Sequence, residues 1–344
     1  MSSKAIGFSE GGDVHILKNV TIPLSDPSGY DVIVKNRATT IHSLEALVRG
    51  LGKDALLGSW PEEYRVQGYD GAGIIYKVGP EAERLFKPGD EVWYAGHVHR
   101  QGSNSEFTKI DGRLVAKRPQ DWTWEEAASL AVEYVTAREL LVEKMKVQAP
   151  RNSDTLLIIN GAGGFGSAAI QLAKTIGFTT IIATASRPET IEWTKQMGAT
   201  HVINHRQPLK PQIETLGITV NYVIVAYDAE KNIPIALDLI EPLGTIGCVL
   251  SASKLNTDPA LKKSVNIVFE GMFAKAKYPH LGSPTQGEIL KEAADSIQEG
   301  RIKPILKQTM HFNLDNLKKA HETAVKDTLV GKLAFFIDEN SFEE

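Results

Sequence analysis

Residues 155–174, TLLIINGAGGFGSAAIQLAK, decide the fold. The run 155–160 has the length and aliphatic composition of a buried strand, and from Ser167 apolar residues recur at helical spacing. Between them Gly161-Ala-Gly-Gly-Phe-Gly166 fits G-x-G-x-x-G. Glycines at that spacing permit a tight strand-to-helix turn and let an anionic pyrophosphate approach free backbone N–H groups at the helix N-terminus. A tight turn without a ligand needs the same glycines, so the motif gains its meaning from what surrounds it.

Downstream, strands are expected at 179–185, 201–204, 221–227 and 245–251, alternating with helices at 167–177, 189–198 and 232–240. Such alternation predicts right-handed βαβ crossovers and a doubly wound parallel sheet. Upstream, the first 120 residues read as strand-rich, with runs at 31–34 and 73–78 and a Pro-Gly-Asp turn opening a strand in KPGDEVWY, 87–94. The stretch 123–146 is helical in period, and the chain closes with helices at 288–300 and 314–325 and a strand at 331–338. At 344 residues two domains are expected, and neither a repeat nor a low-complexity linker is visible.

A net charge of −4 gives no global attraction to nucleic acid. The single cysteine, Cys248, excludes an intramolecular disulfide and any Cys-rich metal site. With no basic-then-apolar leader and no apolar run of membrane-spanning length, the expectation is a soluble cytoplasmic protein with neither a nucleic-acid nor a membrane partner.

The electron donor is read from IIATASRPET, 181–190. An acid gripping the ribose hydroxyls of NAD is expected about 20 residues past the glycine turn. No Asp or Glu occurs between Gly166 and Glu189; the window holds Ser186 and Arg187. A hydroxyl and a guanidinium suit a ribose 2′-phosphate. Ser186 and Glu189 also fit a capping box, but Arg187 precedes a proline, which predicts a helix starting at Pro188. Capping and phosphate binding coexist at such a helix start, so NADPH is predicted.

Taken together, GYDGAGIIYKVG (68–79), FKPGDEVWYAG (86–96), GSNSEF (102–107), AVEYVTAREL (131–140), INGAGGFGSAAIQLAK (159–174) and GKLAFFID (331–338) resemble, in order and spacing, the medium-chain dehydrogenase/reductase superfamily. The similarity spans the chain and is greatest to the quinone oxidoreductases related to zeta-crystallin, especially bacterial "zinc-type alcohol dehydrogenase-like" proteins. ATASRPETIEWTKQMGATHVINH is its most specific segment. The resemblance implies a GroES-like catalytic domain from residues 1–128 and 285–344, a Rossmann NADP-binding domain from 129–284, an active site in the cleft, and a homodimer or a tetramer built from two. Zinc members carry a Cys–His–Cys or Cys–His–Glu set; Ser43 stands where they have the first Cys, Tyr69 where they have His, and their four-cysteine lobe is missing. No zinc is therefore expected. His97 and His99 form an H-x-H in a polar loop, read as solvated and not as a metal site.

Without a metal to polarise an alcohol oxygen, a quinone or an α,β-unsaturated carbonyl is the easier acceptor, because conjugation delivers charge to an oxygen that a hydrogen-bond donor can satisfy. By carry-over, Tyr69 is the first candidate donor, with His42 and Ser43 on a neighbouring loop. The relatives often carry Asn, Asp and Tyr across that segment, where this chain has His42, Glu45 and Leu47. Glu45 either orients His42 or is a solvated helix charge. The resemblance puts Thr136, Gly161, Gly163, Gly164, Phe165, Gly166, Ser186, Arg187, Leu250, Ser251 and Lys332 at the cofactor, and His205 either near the 2′-phosphate or in surface packing. Cys248 reads as an inert core thiol; Phe269, Met272 and Phe273 line a substrate pocket or a dimer interface. Three functions fit: an NADPH-dependent quinone or enone reductase, which leads; an alcohol or aldehyde dehydrogenase; or an NADPH-binding sensor or structural protein.

Overall fold

The computed structural model describes residues 1–52, 60–147, 153–278, 285–326 and 329–343. Contacts divide the chain into two compact units. The first comprises Met1–Val132, Phe273–Glu299 and Pro304–Glu344; the second comprises Glu133–Met272 and Gly300–Lys303. The boundary expected after residue 284 adjoins a stretch outside the described residues, and Phe273–Lys277 groups with the first unit.

In the second unit six described strands form one parallel sheet in the order His201–Ile203, Thr180–Thr184, Thr155–Ile159, Val220–Val225, Ile240–Cys248, Asn266–Phe269. In chain order within the unit this is 3-2-1-4-5-6, so the direction of winding reverses between Thr155–Ile159 and Val220–Val225. Thr155–Ile159 is buried along its whole length, which is why it reads as a continuous apolar run. Its side chains Leu157 and Ile159 join Ile182, Val223, Val225, Ile246 and Cys248 in one core. Burying each such aliphatic side chain stabilises by about 1.5–3 kcal/mol.

The first unit holds a seven-stranded sheet. Its path runs Leu306–His311, Lys332–Phe336, Asp31–Thr40, Asp70–Val78, Glu91–Ala95, Val115–Lys117, and Phe107–Asp111 also pairs with Asp31–Thr40. A smaller sheet joins Lys18–Pro23, Ser2–Phe8 and Arg65–Val66. This strand-rich unit and the parallel-sheet unit are the two parts of the expected fold class. The long strand Asp31–Thr40 is central: it runs antiparallel to both Asp70–Val78 and Lys332–Phe336. The far end of Asp31–Thr40 therefore meets the beginnings of its two neighbours.

Several elements differ from the sequence reading. The helix after the glycine turn begins inside it, at Gly164–Ile176. The helix Trp124–Arg138 continues as a wider π-type turn over Glu139–Lys144, where Met145 N–H reaches the Leu140 carbonyl at 2.8 Å. The helix Leu209–Leu216 and the strands Asn266–Phe269 and Leu306–His311 had no sequence counterpart. Pro211 sits in the first turn of that helix, where its missing N–H breaks no helical hydrogen bond. No described helix is long and apolar enough to cross a membrane.

Candidate functional site

In the second unit the glycine turn follows the strand Thr155–Ile159 at the point where the strand order reverses, which is where such sheets bind ligands. Two of its glycines have internal reasons. A Cβ on Gly166 would lie 2.6 Å from the Gly161 backbone, and one on Gly161 would lie 2.8 Å from the Ala183 methyl. Gly163 has none: its φ of −74° suits any residue, and a Cβ there would meet nothing within 4 Å. Gly163 is the N-cap of Gly164–Ile176 and provides no side-chain cap for the first N–H groups of that helix. Phe165 and Gly164 are half-buried beside it. A glycine kept where the protein itself leaves room fits a dinucleotide pyrophosphate lying against the backbone.

The neighbouring strand ends are basic. Ala183 and Thr184 pair in register with Val202 and Ile203, so the residues that follow, Ser186–Arg187 and His205–Arg206, emerge side by side. His205 Nδ1 lies 3.2 Å from Thr184 Oγ1. Partial desolvation, and then the positive charges of Arg206, Lys231 and Arg187, hold its imidazole below the usual range. Three cations thus act on one histidine at this edge of the sheet. The helix starts at Pro188 as expected, with Arg187 as its N-cap residue. Its cap bond runs from Arg187 N–H to Thr190 Oγ1 at 3.0 Å, so the Ser186–Glu189 capping box does not form.

In the first unit three strand ends build a buried charge cluster. Thr40 ends Asp31–Thr40, Asp70 begins Asp70–Val78, Lys332 begins Lys332–Phe336, and His42 caps the helix Ser43–Leu51. Asp70 is fully buried. Its Oδ2 lies 2.5 Å from His42 Nε2, 2.6 Å from Thr40 Oγ1 and 3.4 Å from Lys332 Nζ, while Oδ1 accepts the Val132 N–H at 2.6 Å. Burial alone would raise this carboxyl; His42 and Lys332, with the hydrogen bonds from His42 and Thr40, bring it down to about 2. An ionised Asp70 requires a proton on the His42 Nε2 facing it. Lys332 Nζ donates to the Ile41 carbonyl at 3.2 Å and lies 3.2 Å from His42 Nδ1 and 3.1 Å from Nε2. These near-equal distances show that the ammonium is not aligned with the lone pair of one ring nitrogen. His42, with 12% of its side chain exposed, is the member of the trio most open to solvent.

The other sequence candidates fall around or outside this cluster. Tyr69 is buried, its ring 6.3 Å from that of His42 and 5.2 Å from that of Phe273. Its hydroxyl, beside Gln67 and Arg65, has no partner at hydrogen-bond geometry, and burial pushes it up to about 12. Ser43 is the exposed first residue of its helix and does not join the trio. Lys332, expected at the cofactor's edge, is committed to Asp70 and His42. Glu45 is not a solvated helix charge: it is fully buried, with Oε2 accepting from Asn104 at 3.2 Å. His97 is not simply solvated: its Nδ1 accepts the His99 backbone N–H at 2.9 Å, which leaves Nε2 to donate to the Ala276 carbonyl at 3.1 Å and no lone pair for a metal, whereas His99 is partly exposed.

In the second unit Thr136 is half-buried, Leu250 and Ser251 are exposed beyond the strand Ile240–Cys248, Phe269 is exposed and Met272 buried. Cys248 is a core thiol that burial pushes up to about 12. Asp70 was missed by sequence reasoning; the available signal was an acid heading an otherwise apolar strand.

The family model described as "Zinc-binding dehydrogenase" matches residues 164–280. A zinc-type alcohol dehydrogenase-like protein of Staphylococcus aureus is 34% identical over 90% of this chain and 92% of its own length. The crystal structure of a protein of Rhizobium etli described as a zinc-dependent alcohol dehydrogenase superposes with a TM-score of 0.90 at 34% identity, covering 98% of this chain and 99% of that one. The chloroplastic NADPH-dependent alkenal/one oxidoreductase of Arabidopsis thaliana is 28% identical over 97% of this chain and 79% of its length. The zinc in the family description does not suit the residues present. Among the described residues no group of three or more His, Cys, Asp or Glu side chains is placed to hold a metal ion. His42 and Asp70 are instead occupied with each other and with the Lys332 ammonium, a fixed cation that repels a second one. With the dinucleotide fold and a strand-rich partner unit in place, a relative 34% identical across nine-tenths of the chain assigns this protein to the medium-chain dehydrogenase/reductase superfamily, among the zinc-type alcohol dehydrogenase-like proteins.

Proposed function

We propose that this protein is an NADPH-dependent, zinc-independent oxidoreductase that reduces quinones or α,β-unsaturated carbonyls. The observation that carries this reading is the buried Lys332–His42–Asp70 trio, a protein-borne positive charge behind a hydrogen-bond donor. Gly161–Gly166 would hold the pyrophosphate, and Ser186, Arg187 and His205 the 2′-phosphate. The bound nicotinamide supplies a hydride equivalent. The chain's own residues handle the charge that hydride addition places on the acceptor oxygen. Asp70 fixes the imidazole through Nε2–H, His42 faces the oxygen, and Lys332 supplies the positive potential that stabilises an oxyanion. A conjugated acceptor needs no more than this, whereas an unactivated alcohol must also lose its hydroxyl proton, a step that a Lewis acid eases. The alkenal/one specificity in the name of the Arabidopsis relative supports the same acceptor class.

The test is a panel of quinones, enones, aldehydes and alcohols, followed by NADPH or NADH consumption, with metal analysis of the same preparation. Turnover of conjugated acceptors with NADPH is expected, and His42→Gln should lower kcat about 10²-fold or more with NADPH affinity retained. Stoichiometric zinc with alcohol oxidation would overturn the proposal. Tight NADPH binding without turnover on any acceptor would instead establish the sensor reading.

A further inference from the structure

Glu45 is the buried group that this reading leaves unused. It stands in the first turn of the helix Ser43–Leu51, fully buried, three residues after His42. Oε2 takes the Asn104 amide, and Oε1 has no hydrogen-bond partner. Two more buried polar atoms share that condition, Gln67 Oε1 and the Tyr69 hydroxyl. They belong to one neighbourhood. Gln67 Nε2 donates to the Glu45 carbonyl at 3.0 Å, Tyr69 lies against Gln67, and the Tyr69 ring adjoins that of His42. The Tyr69 hydroxyl and the Gln67 side chain face each other, which leaves Glu45 Oε1 as the buried acceptor of this neighbourhood without a protein donor. The charged and titratable groups facing Glu45 are His42, Lys332, Asp70 and Tyr69.

Charge balance then constrains the proton. Asp70 offsets one cation, and Lys332 already is that cation. A second positive charge on His42 is tolerated in this buried setting only if Glu45 is ionised. A protonated Glu45 with neutral His42, and an ionised Glu45 with cationic His42, hold the same number of protons and the same net charge. Burial raises the Glu45 carboxyl to about 7, so it keeps its proton well above the ordinary carboxylate range and releases it near neutrality.

We propose that Glu45 is a positioning residue that stores the proton delivered through His42 to the reduced acceptor. This rests on the oxidoreductase reading above. Hydride from NADPH forms a C–H bond at the β-carbon, and the π electrons move to the carbonyl oxygen. The Glu45 O–H breaks as an Nδ1–H bond forms on His42, that N–H breaks as an O–H bond forms on the acceptor, and water returns a proton to the carboxylate. The enol so formed tautomerises, and the sum is acceptor, NADPH and one proton giving saturated carbonyl and NADP⁺.

The test compares wild type with Glu45→Gln and Glu45→Asp. Gln retains an oxygen for Asn104 and removes the exchangeable proton. In wild type kcat should fall as pH rises through about 7, the direction expected for a donor whose raised carboxyl loses its proton there. Glu45→Gln should be slower by about tenfold or more without that limb, and Glu45→Asp should restore a titrating limb. NADPH affinity should be unchanged in both. A second readout needs neither turnover nor the variants' stability: the infrared carboxylic-acid band of resting wild-type protein, labelled at glutamate, should disappear between about pH 6 and pH 8. A Glu45→Gln protein with the wild-type pH profile, or the absence of that band, overturns the proton store while leaving NADPH-dependent reduction intact. If no acceptor is reduced, the oxidoreductase reading fails and the infrared titration still decides where the proton resides.

Discussion

Replacing Gly163 with alanine separates a glycine kept for folding from one kept for a ligand. Its backbone lies at φ −74° and ψ 177°, an extended conformation open to any L-residue, and the added methyl meets no atom within 4 Å. The unliganded fold should tolerate Gly163→Ala, and the stiffer unfolded chain should make the variant more stable by about 0.4–1 kcal/mol. Binding should respond in the opposite direction, because the methyl fills the space the pyrophosphate needs to reach the helix N–H groups. Losing one charge-assisted hydrogen bond there costs about 1.5–3 kcal/mol, or about 10- to 150-fold in Kd. Urea unfolding without ligand and titration of NADPH fluorescence measure the two effects separately. Gly166→Ala is the contrasting control: its methyl would press on the Gly161 backbone at 2.6 Å and should destabilise the protein by about 1–3 kcal/mol without any ligand. A Gly163→Ala protein that binds NADPH as tightly as wild type would refute the placement of the dinucleotide over this turn.

Two further predictions address the charges. Arg187→Asp should weaken NADPH by roughly 10- to 100-fold and leave NADH almost unaffected, measured by parallel titrations; equal effects on both would show that Arg187 contacts no 2′-phosphate. Lys332→Met strips Asp70 of its buried cation and should destabilise the protein by about 3 kcal/mol in urea at neutral pH. The same variant tests the acid limb. In wild type Asp70 is held down to about 2 from 3.8, which stabilises the fold above pH 3.8 by about 2 kcal/mol, a contribution lost as pH falls through 2. Without Lys332 that carboxyl should protonate at higher pH, moving acid unfolding upward on the pH axis. An unshifted acid transition would refute the charge coupling.

What the amino-acid sequence determined by itself was local. The spacing of Gly161, Gly163 and Gly166 between an aliphatic run and a helical period defined the strand-to-helix turn, because only glycine lets chain segments a few residues apart approach so closely. The place of Ser186 and Arg187 was legible for a similar reason: they follow the second strand directly, at a distance from the turn that the βαβ unit dictates. The proline after Arg187 placed the helix start correctly, while the choice of cap did not follow, since Thr190 and Ser186 offer similar hydroxyls and only the folded backbone selects one.

Tertiary structure alone decided the chemistry of the first unit. His42 and Lys332 are 290 positions apart, and their contact depends on two strands aligning antiparallel to Asp31–Thr40 in one register. A slip of one residue in either strand would turn Asp70 or Lys332 to the opposite face, and no local preference specifies that register. Likewise Glu45 looks, in sequence, like any acid in the first turn of a helix; burial beside Asn104, Gln67 and Tyr69 makes it a carboxyl that keeps its proton to neutrality. Backbone preferences act over a few neighbouring residues and so are written in the chain. Desolvation and charge pairing act through space, between residues that only the assembled sheet brings together.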